Sequence, residues 1–446
     1  MKNRAKTPFS RIIGNTSVLL TGRILNAICS FIYIPWTVRT LGLDGFGVML
    51  LVTVYATLIA DLTHLQSWQP LLHYGTSSFR QGRDRFFYNV LAFAVRADYL
   101  SGILGLVIGL VGIFAFGDMM GWPREIRPTA AWCMITLLFM NMSWSIGVMR
   151  LLNRFKLSTT FEFVATMVRT LGSFIGYELH CGVKFFIVMW CVSQVVQFIC
   201  NTTMGIILVR RNVSSPFPWK ELFLPSAPIP GAWKLMLGTS ASQAIVSLLR
   251  PISTLIVGAR LGAADAAIFR VAMQVTSALA KPATVLLPAM YPEFVRLRDE
   301  EDWSGLRATI FRILKAVGLF SVAVILVALL FGGPILDFML HRHSAGGGVL
   351  IGILALSAMI DISIIPFEPL LTVIGHVGYV LRCKVATLVI DVPLLFAAMY
   401  LWGIDGAAIG SVVASMILFG LLGGRAAKLL FGRHDGAAMT APVRRI

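Results

Sequence analysis

The sequence predicts an all-α integral membrane protein of about twelve transmembrane helices in two six-helix halves. Three observations carry this prediction: apolar stretches of about 20 residues recur along the whole chain, charge is sparse, and the cations gather in alternate connections. Of the 446 residues, 57% are apolar and 13% charged, and the mean hydropathy is +0.80. A water-soluble chain of this length needs far more charge to cover its surface. Helix is the form these runs must take, because backbone groups left unbonded in hydrocarbon are too costly to tolerate.

Hydropathy places six spans near 15–38, 46–66, 98–117, 129–149, 158–178 and 185–208. Six more fall near 236–258, 265–291, 316–334, 347–373, 385–401 and 404–424. The basic stretch Met1 to Arg11 precedes the first run as in a signal peptide, but that run is too long and contains Arg23, so it reads as a retained helix. An even number of crossings puts both termini on one side. Of the 38 Lys and Arg residues, 27 fall in connections on that side, 6 on the opposite side and 5 within spans. The positive-inside rule therefore makes both termini cytoplasmic.

Midway, the polar and proline-rich segment RRNVSSPFPWKELFLPSAPIPG (Arg210 to Gly231) reads as a cytoplasmic linker between an N-terminal half, 1–209, and a C-terminal half, 232–446. An internal repeat supports the division: WTVRTLGLDGFG (Trp36 to Gly47) ends the first span and LIVGARLGAADAAIF (Leu255 to Phe269) ends the seventh. Their Leu-Gly pairs, Leu41-Gly42 and Leu261-Gly262, lie 220 residues apart. Halves with an even number of helices are parallel repeats, with a central cavity expected between the two bundles.

Several function classes are excluded. The net charge of +17 forms no single basic face and is explained by topology, so no nucleic-acid partner is expected. No GxxxxGK[ST] phosphate loop occurs. The six cysteines, Cys29, Cys133, Cys181, Cys191, Cys200 and Cys383, lie mostly in apolar runs without paired spacing and are assigned to packing; no metal site and no cofactor is expected. The outward connections are short, which argues against a membrane polymerase or ligase with a catalytic outer loop.

Three segments carry a family resemblance: GNTSVLLTGRILNAICSFIYIPWTVRTLGLDGFGVMLLV (Gly14 to Val52), LLPAMYPEFVRLRDEEDWSGLRATIFRIL (Leu286 to Leu314) and GIDGAAIGSVVASMI (Gly403 to Ile417). With them the chain resembles the Wzx-type polysaccharide flippases (O-antigen and exopolysaccharide) of the multidrug/oligosaccharidyl-lipid/polysaccharide (MOP) exporter superfamily. The resemblance implies a MATE-like fold in the bacterial cytoplasmic (inner) membrane. It also implies translocation of an undecaprenyl-pyrophosphate-linked oligosaccharide by alternating access. Implied partners are that lipid-linked oligosaccharide, membrane lipids, a polysaccharide polymerase and chain-length or export proteins. A drug or cation antiporter of the related MATE family is the competing reading.

Ionisable residues inside spans are the candidate site residues, because each costs roughly 2.5 to 3.5 kcal/mol at a helix centre on insertion scales. The cations are Arg23, Arg169, Arg250, Arg270 and Lys281. Arg23 lies 19 residues before Gly42 and Arg250 12 before Gly262, which sets Arg250 about 10 Å further outward at 1.5 Å per residue. Arginine grips phosphate through a planar, bidentate fork. Arg23, Arg250 and Lys281 are therefore the expected pyrophosphate ligands. Glu162 and Arg169, seven apart on one helical face, are read as a structural pair. A gradient-driven carrier needs a carboxylate that takes up a proton or sodium ion, and Asp61, Asp361, Glu368 and Asp391 are the candidates for H+ or Na+ coupling. Pro282, Pro288, Pro366 and Pro369 are expected to interrupt spans eight and ten.

Overall fold

The computed structural model describes residues 8–117, 122–217, 219, 222, 228–280, 287–300, 302–341 and 346–431. They fold into fifteen helices: α1 (Pro8–Thr63), α2 (Trp68–Arg80), α3 (Asp84–Phe116), α4 (Arg127–Met134), α5 (Leu137–Met140), α6 (Trp144–Leu151), α7 (Phe155–Glu178), α8 (Val183–Asn212), α9 (Ala232–Leu261), α10 (Ala263–Ala280), α11 (Leu287–Asp299), α12 (Trp303–Leu340), α13 (Gly347–Ile364), α14 (Phe367–Val373) and α15 (Val377–Phe431). Among the described residues seven stretches are long and apolar enough to cross a membrane by length and composition. Two of these are double. α1 folds back at Gly42, and α15 at Trp402 and Gly403.

The sharp folds have a common cause. Gly42 has φ 68° and ψ 177°, and Gly262, between α9 and α10, has φ 102° and ψ 173°. That combination of positive φ and extended ψ is essentially closed to any residue with a Cβ. The two Leu-Gly pairs of the sequence repeat thus make the same turn, and the second arm of α1 packs tightly on the α9–α10 hairpin: a Cβ on Gly47 would strike the Ala263 carbonyl, and one on Gly258 the Leu51 side chain.

By contact the chain divides into two compact units, Met1–Ala267 and Ile268–Ile446. In the first, α3 has 33 residues, about 50 Å at 1.5 Å per residue, against a hydrocarbon core of about 30 Å. The excess at its N-terminal end, with α2, α6 and the end of α8, encloses a core containing Leu71, Phe87, Leu91, Trp144, Val148 and Val209. Part of what the sequence leaves between spans two and three is therefore helix. The linker residues lie on this core: Ser215 donates its N–H and hydroxyl to Asp84 (3.1 and 2.7 Å), Tyr88 bonds the Ser215 carbonyl (2.7 Å), and Tyr74 bonds that of Pro230 (3.0 Å).

In the second unit, α12 is 38 residues long and begins with Asp302 as N-cap, its carboxylate accepting from the Gly305 N–H at 2.8 Å. Phe294, Leu306, Ile310, Phe367, Leu370 and Leu422 form the core beside its first turns. The two arms of α15 pack against one another at small residues, with Gly406 against Ala398 and Gly410 against Leu395.

Two expected spans are interrupted. The one expected over 129–149 is three short helices, α4 to α6, and the one over 347–373 breaks between α13 and α14, where Pro366 caps the second piece. The expected span over 265–291 is α10 and the start of α11, with 281–286 outside the described residues.

Candidate functional site

Helix breaks inside a membrane protein free backbone groups that need new partners. In the first unit two breaks meet, the segment 64–67 after α1 and the segment 141–143 before α6, and a polar cluster joins them. Asp98 of α3 is its centre and is fully buried. Its Oδ2 accepts the N–H groups of Ser143 (2.7 Å) and Trp144 (2.8 Å), the open donors at the start of α6. A carboxylate there also meets the positive end of the helix dipole. Its Oδ1 accepts the Ser143 hydroxyl at 3.4 Å, and Ser143 and Ser67 share a 2.8 Å hydroxyl contact.

Beside it, Asn141 donates to Thr63 Oγ1 (2.9 Å) and Ser101 Oγ (3.0 Å), and Ser101 donates to the Thr63 carbonyl (2.7 Å). The Gln66 N–H is taken by Ser240 of α9 at 2.9 Å. Sequence reasoning missed Asp98, which sits at the edge of the predicted span 98–117 and reads there as a boundary residue. α3 instead begins at Asp84, fourteen residues earlier.

Asp61, nearby on the second arm of α1, is partly exposed, and no side-chain hydrogen bond or ion pair ties it to a described residue. Glu162 and Arg169 both lie on α7, turned to different neighbours. Glu162 accepts from Asn26 of α1 at 3.1 Å, whereas Arg169 donates to Ser193 Oγ (3.0 Å) and Gln194 Oε1 (3.3 Å) of α8. No ion pair joins these two residues.

In the second unit Asp361 of α13 accepts the Ser415 hydroxyl of α15 at 2.8 Å, and Ser415 in turn meets Ser357 at 3.0 Å. Asp391, on the first arm of α15, is only 6% exposed, and its Oδ1 is buried without a hydrogen-bond partner. Continuing the pairing of Gly406 with Ala398 and Gly410 with Leu395 by one turn sets Asp391 at about the level of Ala414, one residue before the Ser415 that bonds Asp361. Glu368 lies apart, past the helix break, in a 2.8 Å ion pair with Lys384.

Of the expected pyrophosphate ligands, Arg23 is on α1 and Arg250 on α9, directly before Pro251; their side chains and the whole of Lys281 lie outside the described residues. Among the described residues no group of three or more His, Cys, Asp and Glu side chains is arranged to hold a metal ion.

Membrane-length helices, glycine-folded hairpins and buried polar clusters at helix breaks make this an all-α membrane protein, and its architecture is MATE-like. It is similar to an inward-facing multidrug resistance MATE family transporter of the MOP superfamily, with TM-score 0.72 and 16% identity, covering 93% of this chain and 98% of that one. It is also similar to the lipid II flippase MurJ in an inward closed conformation, with TM-score 0.67 and 10% identity over 93% of this chain and 87% of that one. In sequence it is 29% identical over 337 residues to the inner membrane protein YghQ of Escherichia coli (strain K12), 74% of this chain and 95% of that protein. No protein-family model matches it.

Proposed function

We propose that the protein is a flippase of the bacterial inner membrane. It carries an undecaprenyl-pyrophosphate-linked oligosaccharide from the cytoplasmic to the outer leaflet by alternating access, for surface polysaccharide synthesis. The observation that carries this reading is the presence of arginines in helices that hydropathy reads as membrane spans: Arg23 on α1, Arg169 on α7 and Arg250 on α9. A binding path for an anionic headgroup needs fixed positive charge, and one for cationic drugs needs the reverse. The fold hosts both kinds of cargo, since its structural neighbours include a multidrug transporter and a lipid II flippase. Arg23, Arg250 and Lys281 are the proposed pyrophosphate ligands. Asp361 and Asp391 are the favoured groups for H+ or Na+ coupling, with Asp61 the further candidate in the first unit. Glu368, already neutralised by Lys384, is less suited to that role.

A cell lacking the protein should lose surface glycan and accumulate the lipid-linked oligosaccharide in the inner leaflet, and the intact gene should restore export. Arg23→Ala and Arg250→Ala should each fail to restore it at normal expression. Full export by both variants would sink the assignment of these ligands. The reading as a drug or cation antiporter is favoured by the carboxylates of Asp61 and Asp391, which have no described partner. It requires that the protein raise drug resistance in a sensitised host without altering surface glycan.

A further inference from the structure

Arg169 has an unusual set of partners for a guanidinium between membrane helices. Its Nη2 donates to two neutral groups, Ser193 Oγ and Gln194 Oε1. Its guanidinium carbon lies 5.9 Å from the ring centroid of Tyr33 on α1 and 5.9 Å from that of Trp190 on α8. Its Nε is buried and donates to nothing. Among the described residues no carboxylate lies within ion-pair distance; the acid on its own helix face, Glu162, is two turns away and engaged by Asn26. Lys384 in the second unit, by contrast, holds Glu368 at 2.8 Å.

A half-buried cation held by hydroxyl, amide and aromatic groups has given up part of its hydration without a countercharge from the described residues, an arrangement that weakens the fold. It makes sense where the countercharge arrives with a ligand. The surroundings suit a phosphate-type anion. A guanidinium presents five N–H donors in a fixed fork, and here the described contacts engage only one terminal nitrogen. Ser193 and Gln194 add further polar atoms. The two aromatic faces favour the cation through their quadrupoles without competing for its fork.

We infer that Arg169, with Ser193, Gln194, Tyr33 and Trp190, forms an anion subsite between α1, α7 and α8 that takes the phosphate of a lipid-linked or free phosphate ester. This rests on, and deepens, the flippase reading, since it adds a headgroup contact on a helix that the sequence assigns to a structural ion pair. Arg169 positions the anion and performs no chemistry.

The test compares purified full-length wild type with Arg169→Met and Arg169→Lys, measuring thermal stability and binding of three probes: farnesyl pyrophosphate, inorganic pyrophosphate and phosphatidylglycerol. For the wild type, farnesyl pyrophosphate should raise the melting temperature. Binding of inorganic pyrophosphate as well would mark a headgroup-only site, and binding of phosphatidylglycerol would mark a general lipid phosphate site. Arg169→Met should lose at least tenfold in affinity for whichever probe binds while melting at or above the wild-type temperature, because removing an uncompensated charge relieves the fold. Arg169→Lys should keep part of the affinity.

A purely structural arginine gives the opposite pattern, a lower melting temperature with affinity unchanged, and that result overturns the inference, as does a wild type that binds none of the probes. The two readings fail separately. Export of glycan by Arg169→Met at the wild-type rate removes the subsite and leaves the flippase standing. Probe binding that depends on Arg169 in a protein whose loss leaves surface glycan intact removes the flippase and leaves the subsite.

Discussion

Replacing Asp98 with alanine should unfasten the start of α6. In the wild type one carboxylate oxygen satisfies two backbone donors, at 2.7 and 2.8 Å, in a position with no exposure to solvent. Alanine offers no acceptor in its place, so both N–H groups lose their partner. At about 1–3 kcal/mol for each such group, the loss is roughly 2–6 kcal/mol, a large share of the about 5–15 kcal/mol by which folded domains are typically stable. Asparagine keeps one acceptor oxygen, enough for both N–H groups, and turns its NH2 toward a hydroxyl that can accept, so it should cost much less. The assay is heat challenge of the detergent-solubilised protein followed by size exclusion, with amide hydrogen exchange read at residues 143–148. Asp98→Ala should melt well below wild type, Asp98→Asn between them, and exchange should rise first at Ser143 and Trp144. An alanine variant that melts with wild type and keeps those amides protected would refute the role given to Asp98.

Three further outcomes follow from the geometry. The free thiols of Cys133 and Cys191 lie 3.2 Å apart on α4 and α8, so oxidation with copper-phenanthroline should join them while a Cys133→Ser variant stays uncrosslinked; absence of the bond in wild type by mass spectrometry would contradict the packing of these helices. Gly42→Ala and Gly262→Ala should each cost about 1–3 kcal/mol, because both turns use a backbone region closed to alanine, and Gly238→Ala, in open space on α9, should instead stabilise by up to about 1 kcal/mol in the same melting assay. Hydrogen bonds from the Gly305 N–H and then the Ser304 hydroxyl hold the Asp302 carboxyl below its ordinary pKa, so its contribution is present above the unfolded-state value and is lost as pH falls through the lower folded one. Asp302→Asn should therefore lose less stability than wild type between pH 6 and about pH 3, the interval bracketing an ordinary carboxyl; an identical pH dependence would refute the cap.

The membrane crossings were legible because the bilayer demands so many consecutive apolar residues that little else in the sequence competes with them. The hairpins were legible for a similar reason: Leu41-Gly42 and Leu261-Gly262 repeat because only glycine can make the turn. What the sequence withheld were relations across long separations. Asp98 meets Ser143 from 45 positions away, and Cys133 meets Cys191 from 58, and no spacing rule reaches that far. Counting by sevens also misled. Glu162 and Arg169 share an unbroken helix, yet α1 and α8 each supply a partner, and those contacts decide where the side chains go.

The length of α3 has a mechanical consequence. A rod of about 50 Å pinned through Asp98, about 21 Å from its first residue, is a lever with arms of roughly 21 and 27 Å. A rock of about 10° around that fulcrum swings the two ends in opposite senses by about 4 and 5 Å, using the same rise per residue. The near end carries Asp84 and Tyr88, which grip the segment leading out of α8. A tilt of the helix about Asp98 would therefore reach that segment as a displacement opposite in sense to that of the far end.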